Sequence, residues 1–356
     1  MRLNIGMAQI YPKLGDVRAN LDKHLAYVEQ AAQQNVDLLV FPELSMTGYQ
    51  VQDLVPEVAI RASADDPTFG AMLDASKRMD IVFGFVQEDS RNRFYIACAY
   101  LSGGEALHVH QKLYLPTYNM FDEGRYFAPG EHVHAFNTRF ERVGMLICED
   151  FWHMSPAYLL WMDGADLMIF HSASPSRGLD SGDRLSGSRW VELVNQAYGS
   201  MFTSYIVHCN RVGYEDGKNF WGGSSIVDPN GDFLTRGLYF DEALITQAID
   251  LNELHRTRSR LPLLRDERPL IVAGGGAVAS GATGELVALA ARLGTPVVPT
   301  QMALGAIASD SPHFIGHGGL IGGDAIHDAF ARADVVLALG CRFSSWMWNE
   351  RGPLVR

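Results

Sequence analysis

The chain has 356 residues, of which 47% are hydrophobic and 20% charged, and its formal net charge at pH 7 is −12. This composition is typical of a globular protein with one large domain and a smaller one, and the negative charge disfavours nucleic acid as a partner. No stretch reaches the roughly 20 apolar residues that a spanning helix needs, so no membrane partner is expected.

Four cysteines are widely spaced and predict no disulfide framework: Cys98, Cys148, Cys209 and Cys341. The chain begins directly with a strand pattern and shows no charged segment followed by an apolar leader. Because a reactive thiol suits a reducing compartment, we expect a cytoplasmic protein.

The first 268 residues alternate between strand patterns and helix patterns. Residues 20–34 repeat apolar side chains on one face, which predicts an amphipathic helix. Further helices are predicted over 156–162 and after a cap at Ser188. Strands are predicted at residues 37–41, 81–85, 94–101, 107–112, 143–148, 167–170, 203–208, 224–227 and 244–249.

One of these strands ends at Cys148, which two acids, two aromatic residues and His153 follow at once. The carboxyl end of a buried strand is where α/β folds bind their ligands. Most free cysteines are small buried hydrophobic residues, so the position of this thiol does not by itself make it catalytic.

Two other predicted strands also end in chemically useful groups. Residues 37–41 lead through Pro42 to the carboxylate of Glu43, and residues 107–112 end at Lys112. A thiol, a carboxylate and an ammonium are the nucleophile, base and oxyanion donor that acyl transfer through a thioester requires. The three strand ends together therefore indicate a cysteine hydrolase.

Residues 1–268 resemble the nitrilase superfamily, the carbon–nitrogen hydrolases with a Glu-Lys-Cys triad. The matching segments are residues 5–9, 41–43, 112–116, 147–150, 171–175, 210–213, 222–231 and 260–269. Within the superfamily, residues 118–127 are similar to the glutaminase domain of glutamine-dependent NAD synthetases.

The resemblance implies an α/β fold, an α-β-β-α sandwich of two sheets, and catalysis without a metal or cofactor. It implies that Cys148 is the nucleophile, Glu43 the general base, and Glu123 a second glutamate that orients the substrate and Lys112. Lys112 would hold the oxyanion, and we expect the backbone N–H of Glu149 to join it, because Glu149 follows the nucleophile. Members of the family commonly pair through helices beside the active site, so a homodimer or larger homo-oligomer is expected.

Substrate-binding residues are predicted from their positions relative to the triad. They are Tyr118, Trp152, Ser172, Ser174 and Trp190. Each also has an ordinary structural interpretation, and a tryptophan at helical spacing, such as Trp190, is typical of a core.

Residues 176–187 are rich in glycine and serine and include Asp180, Asp183 and Arg184. They predict either a loop that covers the site and recognises a charged substrate end, or an ordinary surface loop.

Two histidine pairs alternate along strands, His108 with His110 and His132 with His134. No spacing typical of a zinc site accompanies them, so they are interpreted as exposed strand histidines and no metal is expected.

From Pro269 onward the pattern becomes that of a Rossmann-like β-α-β segment, with a glycine turn at 274–276. Residues 269–356 resemble part of the central domain of thiamine-diphosphate enzymes of the acetolactate-synthase type. Neither thiamine-binding domain is recognisable, so thiamine chemistry is not expected. A nucleotide at the glycine turn is a further interpretation, but Ala279 stands where a dinucleotide-binding turn has its third glycine. A docking, oligomerisation or vestigial role is favoured, and Cys341 is interpreted as structural.

The sequence thus predicts an enzyme that hydrolyses a linear amide, a small-molecule substrate, to an acid plus ammonia or an amine. A glutamine-like amide, an N-carbamoyl amine and an aliphatic amide all remain open. One alternative is a glutaminase-like subunit that supplies ammonia to a separate synthetase. Another is a non-catalytic scaffold that acts through its C-terminal segment.

Overall fold

The computed structural model describes residues 1–176, 185–319 and 323–342. The chain divides after Pro262 into two compact units, a few residues before the predicted boundary at 268. The larger unit contains every candidate catalytic residue, and the smaller one contains the predicted β-α-β segment.

Strands form the centre of both units. In chain order they are β1 (Arg2–Gln9), β2 (Leu38–Val40), β3 (Asp80–Glu88), β4 (Phe94–Ser102), β5 (Glu105–Gln111), β6 (Phe136–Asn137), β7 (Arg142–Ile147), β8 (Leu167–Ser172), β9 (Tyr205–Asn210), β10 (Val212–Glu215), β11 (Lys218–Trp221), β12 (Ser225–Val227), β13 (Phe233–Arg236), β14 (Ala243–Asp250), β15 (Pro269–Ala273), β16 (Val297–Pro299) and β17 (Val335–Leu339).

Helices connect the strands and cover the sheets. They are α1 (Val17–Gln33), α2 (Val55–Val58), α3 (Pro67–Ala75), α4 (Glu123–Tyr126), α5 (Met154–Met162), α6 (Ser186–Met201), α7 (Asn252–Arg260), α8 (Leu263–Asp266), α9 (Gly275–Ala279), α10 (Thr283–Leu293) and α11 (Asp324–Arg332). Short 3₁₀ helices occur at Gln52–Leu54, Cys148–Trp152 and Gln301–Ala303. Over the residues described, no helix has both the length and the apolar character needed to cross a bilayer.

Two six-stranded sheets build the larger unit, in the orders β14-β1-β2-β3-β4-β5 and β13-β12-β9-β8-β7-β6. The central strands of each sheet are parallel: β1, β2 and β3 in the first sheet, and β7, β8 and β9 in the second. Parallel strands bring their carboxyl ends to one edge of a sheet. The residues that follow β2, β7 and β8 therefore gather at the same end of the molecule.

The two sheets pack face to face. Alternate residues of β7, among them Met145 and Ile147, share one buried cluster with Leu38 and Val40 of β2. This period-2 burial is expected where one face of a strand meets another sheet.

The outer faces of both sheets are covered by helices. Helices α1 and α3 pack on the first sheet through a second buried cluster. On the second sheet, Phe170 of β8 meets Tyr198 of α6, with ring centroids 6.1 Å apart. The layers are thus helix, sheet, sheet and helix, which confirms the predicted α-β-β-α sandwich.

The smaller unit is a three-stranded parallel sheet in the order β16-β15-β17, with α10 and α11 packed on opposite faces. This arrangement confirms the predicted Rossmann-like pattern. Its glycine turn is explained by close packing, because a Cβ at Gly274 would lie 2.2 Å from the carbonyl oxygen of Gly340.

Three local predictions were wrong. Helix α1 begins at Val17 rather than near residue 20, because the carboxylate of Asp16 accepts a hydrogen bond from the N–H of Ala19. Ser188 lies inside the first turn of α6 and donates to the carbonyl of Leu185, so it is not the cap. His110 is buried rather than exposed, because Asp150 binds its ring inside the fold.

Candidate active site

Glu43 lies on the loop that follows β2. The loop contacts β3 at Gly84, where a Cβ would lie 2.5 Å from the N of Leu44 and 2.6 Å from the O of Pro42. Only glycine leaves room for this approach. The backbone of β3 therefore helps to fix the position of the Glu43 carboxylate, which is 1% exposed.

Lys112 follows β5, and its side chain is fully buried. Its Nζ donates to Oε1 of Glu43 at 2.7 Å and to Oε1 of Glu123 at 2.8 Å. Two carboxylates, one on the loop after β2 and one at the first residue of α4, thus share one ammonium inside the protein. The structure therefore brings together three of the four predicted catalytic side chains by direct hydrogen bonds.

The remaining contacts of the two carboxylates orient them. Oε2 of Glu43 accepts the N–H of Ala173 at 2.7 Å, just after the end of β8. Oε1 of Glu123 also accepts the hydroxyl of Tyr49 at 2.5 Å. Oε2 of Glu123 is buried and has no hydrogen-bond partner among the residues that the structure describes.

Cys148 begins the 3₁₀ helix that follows β7, and it adopts a positive φ of 47°. A non-glycine residue in this left-handed region stores backbone strain of about 1–3 kcal/mol, which is common at functional positions. Cys148 is 9% exposed, whereas Cys98 and Cys209 are 0% exposed, so it is more accessible than either. The thiol lies close enough to Glu43, Lys112 and Glu123 to interact electrostatically with all three.

Burial raises the pKa of the Cys148 thiol well above its usual range, and the negative charge of Glu43 raises it further, against the opposing effect of Lys112. The resting thiol therefore keeps its proton at neutral pH. Burial alone would lower the pKa of Lys112, but the charges of Glu123 and Glu43 raise it well above its usual value. Lys112 accordingly remains an ammonium.

Burial raises the pKa of Glu123 from 4.5 to about 7, and the charge of Glu43 adds to this while Lys112 opposes it. A carboxyl with a raised folded-state pKa binds its proton more tightly in the folded protein than in the unfolded chain. We therefore expect the free energy of unfolding to fall as pH rises from 4.5 to about 7, by up to roughly 3 kcal/mol from this group.

Denaturant unfolding at pH 5 and pH 8 measures this effect. In Glu123→Gln, which has no carboxyl to titrate, the loss of stability between the two pH values is expected to be smaller. Equal losses in the two proteins would contradict the assignment.

Of the two predicted oxyanion donors, Lys112 interacts electrostatically with the thiol, and the N–H of Glu149 belongs to the residue that follows Cys148. Glu149 lies in the first turn of the 3₁₀ helix, where the leading N–H groups have no acceptor within the helix. Its side chain accepts the hydroxyl of Tyr118 at 2.8 Å. Tyr118 is 45% exposed, so this pair lies near solvent beside the nucleophile.

The other predicted substrate-binding residues occupy different environments. Trp190 is 46% exposed and its indole contacts that of Trp152, with ring centroids 6.1 Å apart. Ser172 is fully buried, and its hydroxyl is 3.0 Å from Nε2 of His208. Ser174 is 5% exposed, and within the described part of the chain its hydroxyl has no hydrogen-bond partner. The structure places no direct bond between these four residues and the triad.

Asp180, Asp183 and Arg184 lie outside the described residues, as does most of the predicted loop over the site.

Three of the four histidines in the predicted pairs have partners within the fold. His108 lies edge-on to His134 with ring centroids 4.6 Å apart, and His110 binds Asp150. Within the described segments, no three side chains of His, Cys, Asp or Glu converge as metal ligands.

Several supporting residues of the site were not predicted from the sequence. Tyr49 donates to Glu123, and the N–H of Ala173 donates to Glu43. Asp150 accepts the N–H of Leu113, which follows Lys112, and the N–H of Ile147, which precedes Cys148. Asp150 lies within a matching segment, but only the folded backbone reveals its partners.

An α-β-β-α sandwich with a buried Glu-Lys-Cys set at the ends of its strands defines the nitrilase superfamily. The family described as carbon–nitrogen hydrolase matches residues 4–259. The chain therefore belongs to the carbon–nitrogen hydrolase family, which makes it an enzyme of that superfamily.

The chain is similar to proteins that are much longer than itself and to a protein that it covers almost completely. The glutamine-dependent NAD(+) synthetase of Thermotoga maritima is 35% identical over 258 residues, which cover 71% of this chain but 43% of the synthetase. The chain thus spans less than half the length of that relative. A probable nitrilase of Schizosaccharomyces pombe is 28% identical over 276 residues, which cover 75% of this chain and 96% of the nitrilase.

A solved structure has the same fold. The carbon–nitrogen hydrolase of Helicobacter pylori superposes with a TM-score of 0.67 at 21% identity, covering 75% of this chain and 96% of that protein.

Residues 262–353 match the family described as the central domain of thiamine pyrophosphate enzymes, which confirms the second resemblance. The glycine turn of this unit does not fit a bound diphosphate. The backbone of Gly340 fills the space beside Gly274, and the N–H of Gly276 already donates to the carbonyl of Gly340.

Proposed function

We propose that this enzyme hydrolyses the side-chain amide of glutamine through a thioester on Cys148 and supplies the released ammonia to a synthetase. The observation that carries the proposal is the buried Lys112 ammonium, bonded by Glu43 and Glu123 beside the thiol. The choice of glutamine is supported by the similarity to glutamine-dependent NAD(+) synthetases.

Because the resting thiol is protonated, its attack on the amide carbonyl is coupled to proton transfer to Glu43. The oxyanion that forms is held by Lys112 and the N–H of Glu149. Glu43 then gives the proton to the leaving nitrogen, the carbon–nitrogen bond breaks, and ammonia departs from the thioester.

A water molecule completes the cycle. It loses a proton to Glu43 as it attacks the thioester carbonyl, and the thiolate of Cys148 leaves and takes that proton back. The carboxylate of Glu43 can serve in each step because an ionised carboxyl has about four lone-pair positions, and the hydrogen bonds from Lys112 and Ala173 use two of them.

Glu149 suits a substrate that carries an ammonium group. It immediately follows the nucleophile, and its carboxylate is 14% exposed and held by Tyr118. A free amino acid amide such as glutamine presents a positive charge at its far end, and a neutral aliphatic amide does not. This difference separates the glutaminase proposal from a general amidase.

We expect Glu149→Gln to raise the KM for glutamine about 10- to 100-fold, because a hydrogen bond to a charged group is lost. The KM for butyramide should change little. Ammonia release measured against both substrates tests this, with the exposed acid variant Glu105→Gln as the control. Equal effects on both amides would contradict recognition of an ammonium by Glu149.

A general amidase is the second candidate, since the chain also covers almost the whole of a probable nitrilase. Ammonia from butyramide and none from glutamine would favour it. The supply of ammonia is tested separately by adding an ammonia-dependent NAD synthetase. Glutamine turnover that rises with the partner supports the supply role, and unchanged turnover contradicts it while leaving the glutaminase activity established.

A further inference from the structure

Asp150 is a fully buried carboxylate that accepts four hydrogen bonds. Its Oδ1 accepts the N–H groups of Leu113 and Tyr114, each at 2.9 Å. Its Oδ2 accepts the N–H of Ile147 at 3.0 Å and lies 2.9 Å from Nε2 of His110. None of these atoms belongs to the triad, yet each lies close to it in the chain.

The four donors belong to two separate parts of the fold. His110, Leu113 and Tyr114 lie on either side of Lys112, at the end of β5 in the first sheet. Ile147 is the last residue of β7 in the second sheet and immediately precedes Cys148. One carboxylate therefore joins the backbone that carries the ammonium to the backbone that carries the nucleophile.

The same carboxylate also closes the strained turn. The bond from Ile147 to Asp150 spans Cys148, whose φ is 47°. Such a conformation persists only when its surroundings hold it in place. The bonds across the sheets and the bond across the turn thus end on the same side chain.

We propose that Asp150 is a positioning residue that sets the distance between the Lys112 ammonium and the Cys148 thiol. This inference rests on the proposed thioester chemistry for its effect on turnover. Small errors in the placement of reacting groups are costly, and a displacement of about 1 Å can lower a rate about 10²-fold.

Asp150→Asn tests the inference because it keeps the shape of the side chain. Its amide nitrogen cannot accept a hydrogen bond, so the backbone N–H groups of either Ile147 or Leu113 and Tyr114 must lose their acceptor. We expect kcat to fall about 10²-fold with little change in KM. Asp163→Asn is the matched control, since Asp163 is also a buried carboxylate and bonds the N–H of Ala135 and the side chain of Arg142. A fall in kcat no greater than in this control would overturn the proposal.

Alkylation of Cys148 by iodoacetamide provides a readout that needs no substrate. Loss of a nearby negative charge, taken alone, favours the thiolate and would speed alkylation. Displacement of Lys112 removes the cation that stabilises the thiolate, so the pKa of the Cys148 thiol rises. Alkylation then becomes about tenfold slower for each unit of that rise. We expect slower alkylation in Asp150→Asn, followed by peptide mass spectrometry with the half-buried Cys341 as the internal reference. A faster or unchanged rate would overturn the proposal.

A second variant covers the case in which Asp150→Asn does not fold. His110→Phe keeps the carboxylate and removes one of its four donors, so slower alkylation of Cys148 is again expected, to a smaller extent. An unchanged rate in this variant overturns the inference. A wild-type enzyme that releases no ammonia from either amide would refute the proposed function, but the ratio of alkylation rates would still decide the role of Asp150.

Discussion

Cys148→Ala is expected to lose ammonia release by a factor on the order of 10⁴ to 10⁶, the range seen when a catalytic nucleophile is removed. No other group of the site replaces the thiol as nucleophile, because Glu43 and Lys112 only assist the step in which the thiol bonds to the carbonyl carbon. Intact-protein mass spectrometry of the wild type with glutamine should show an acyl adduct that is absent from the variant.

Cys98→Ala is the matched control, because Cys98 is buried in the same hydrophobic cluster as Cys148. This variant is expected to keep both the adduct and turnover. An adduct that persists in Cys148→Ala would show that another group is acylated, and the assignment of the nucleophile would be wrong.

Lys112→Met is expected to lower the free energy of unfolding by about 3–5 kcal/mol, because it leaves two buried carboxylates without their cation. Turnover should fall as well, by about 10²- to 10³-fold for the loss of an oxyanion donor. Denaturant unfolding and ammonia release measure the two effects on the same preparation.

The stability loss in Lys112→Met should depend on pH. Lys112 opposes the raised pKa of Glu123, so without the ammonium Glu123 binds its proton still more tightly in the folded protein than in the unfolded chain, and stability is lost as pH rises. The destabilisation is therefore expected to be larger at pH 8 than at pH 5. In Lys112→Met/Glu123→Gln, which has one buried charge fewer, stability should partly recover while turnover does not. A pH-independent destabilisation would contradict this electrostatic explanation.

Three of the four candidate catalytic side chains could be predicted because each stands near the end of a recognisable strand. β5 is antiparallel to β4, which is antiparallel to β3, so β5 runs in the same direction as β2, and Lys112 and Glu43 follow strands that end at the same edge of the first sheet. Cys148 follows β7, a parallel strand of the second sheet. Glu123 is different, since no strand pattern leads to it, and only the resemblance to known hydrolases indicated its role.

The supporting contacts could not be predicted, because they join residues that are distant in the chain. Glu43 receives the N–H of Ala173, which lies 130 positions away, and a backbone donor has no signature in the sequence. Asp150 stands in a motif that drew attention to its neighbour, but its four donors come together only when the sheets pack.

The wrong prediction for His110 has the same origin. His110 alternates with His108 along β5, and this period-2 pattern would expose both rings on an uncovered sheet face. The second sheet covers that face, and Asp150 provides the buried partner that makes a histidine acceptable there. Local patterns describe a strand, whereas burial of a polar side chain depends on what is packed against it.

The pairing of β1 with β14 has a consequence for how the protein is made. These strands lie side by side, although Arg2 pairs with Asp250 and almost the whole larger unit separates them in the chain. On the ribosome, β1 emerges before β14 and waits for this neighbour while about 250 further residues are translated. Synthesis at roughly 5–20 residues per second leaves that edge of β1 unpaired for tens of seconds. Nascent chains are therefore exposed to edge-to-edge association during this interval, and slower translation lengthens it.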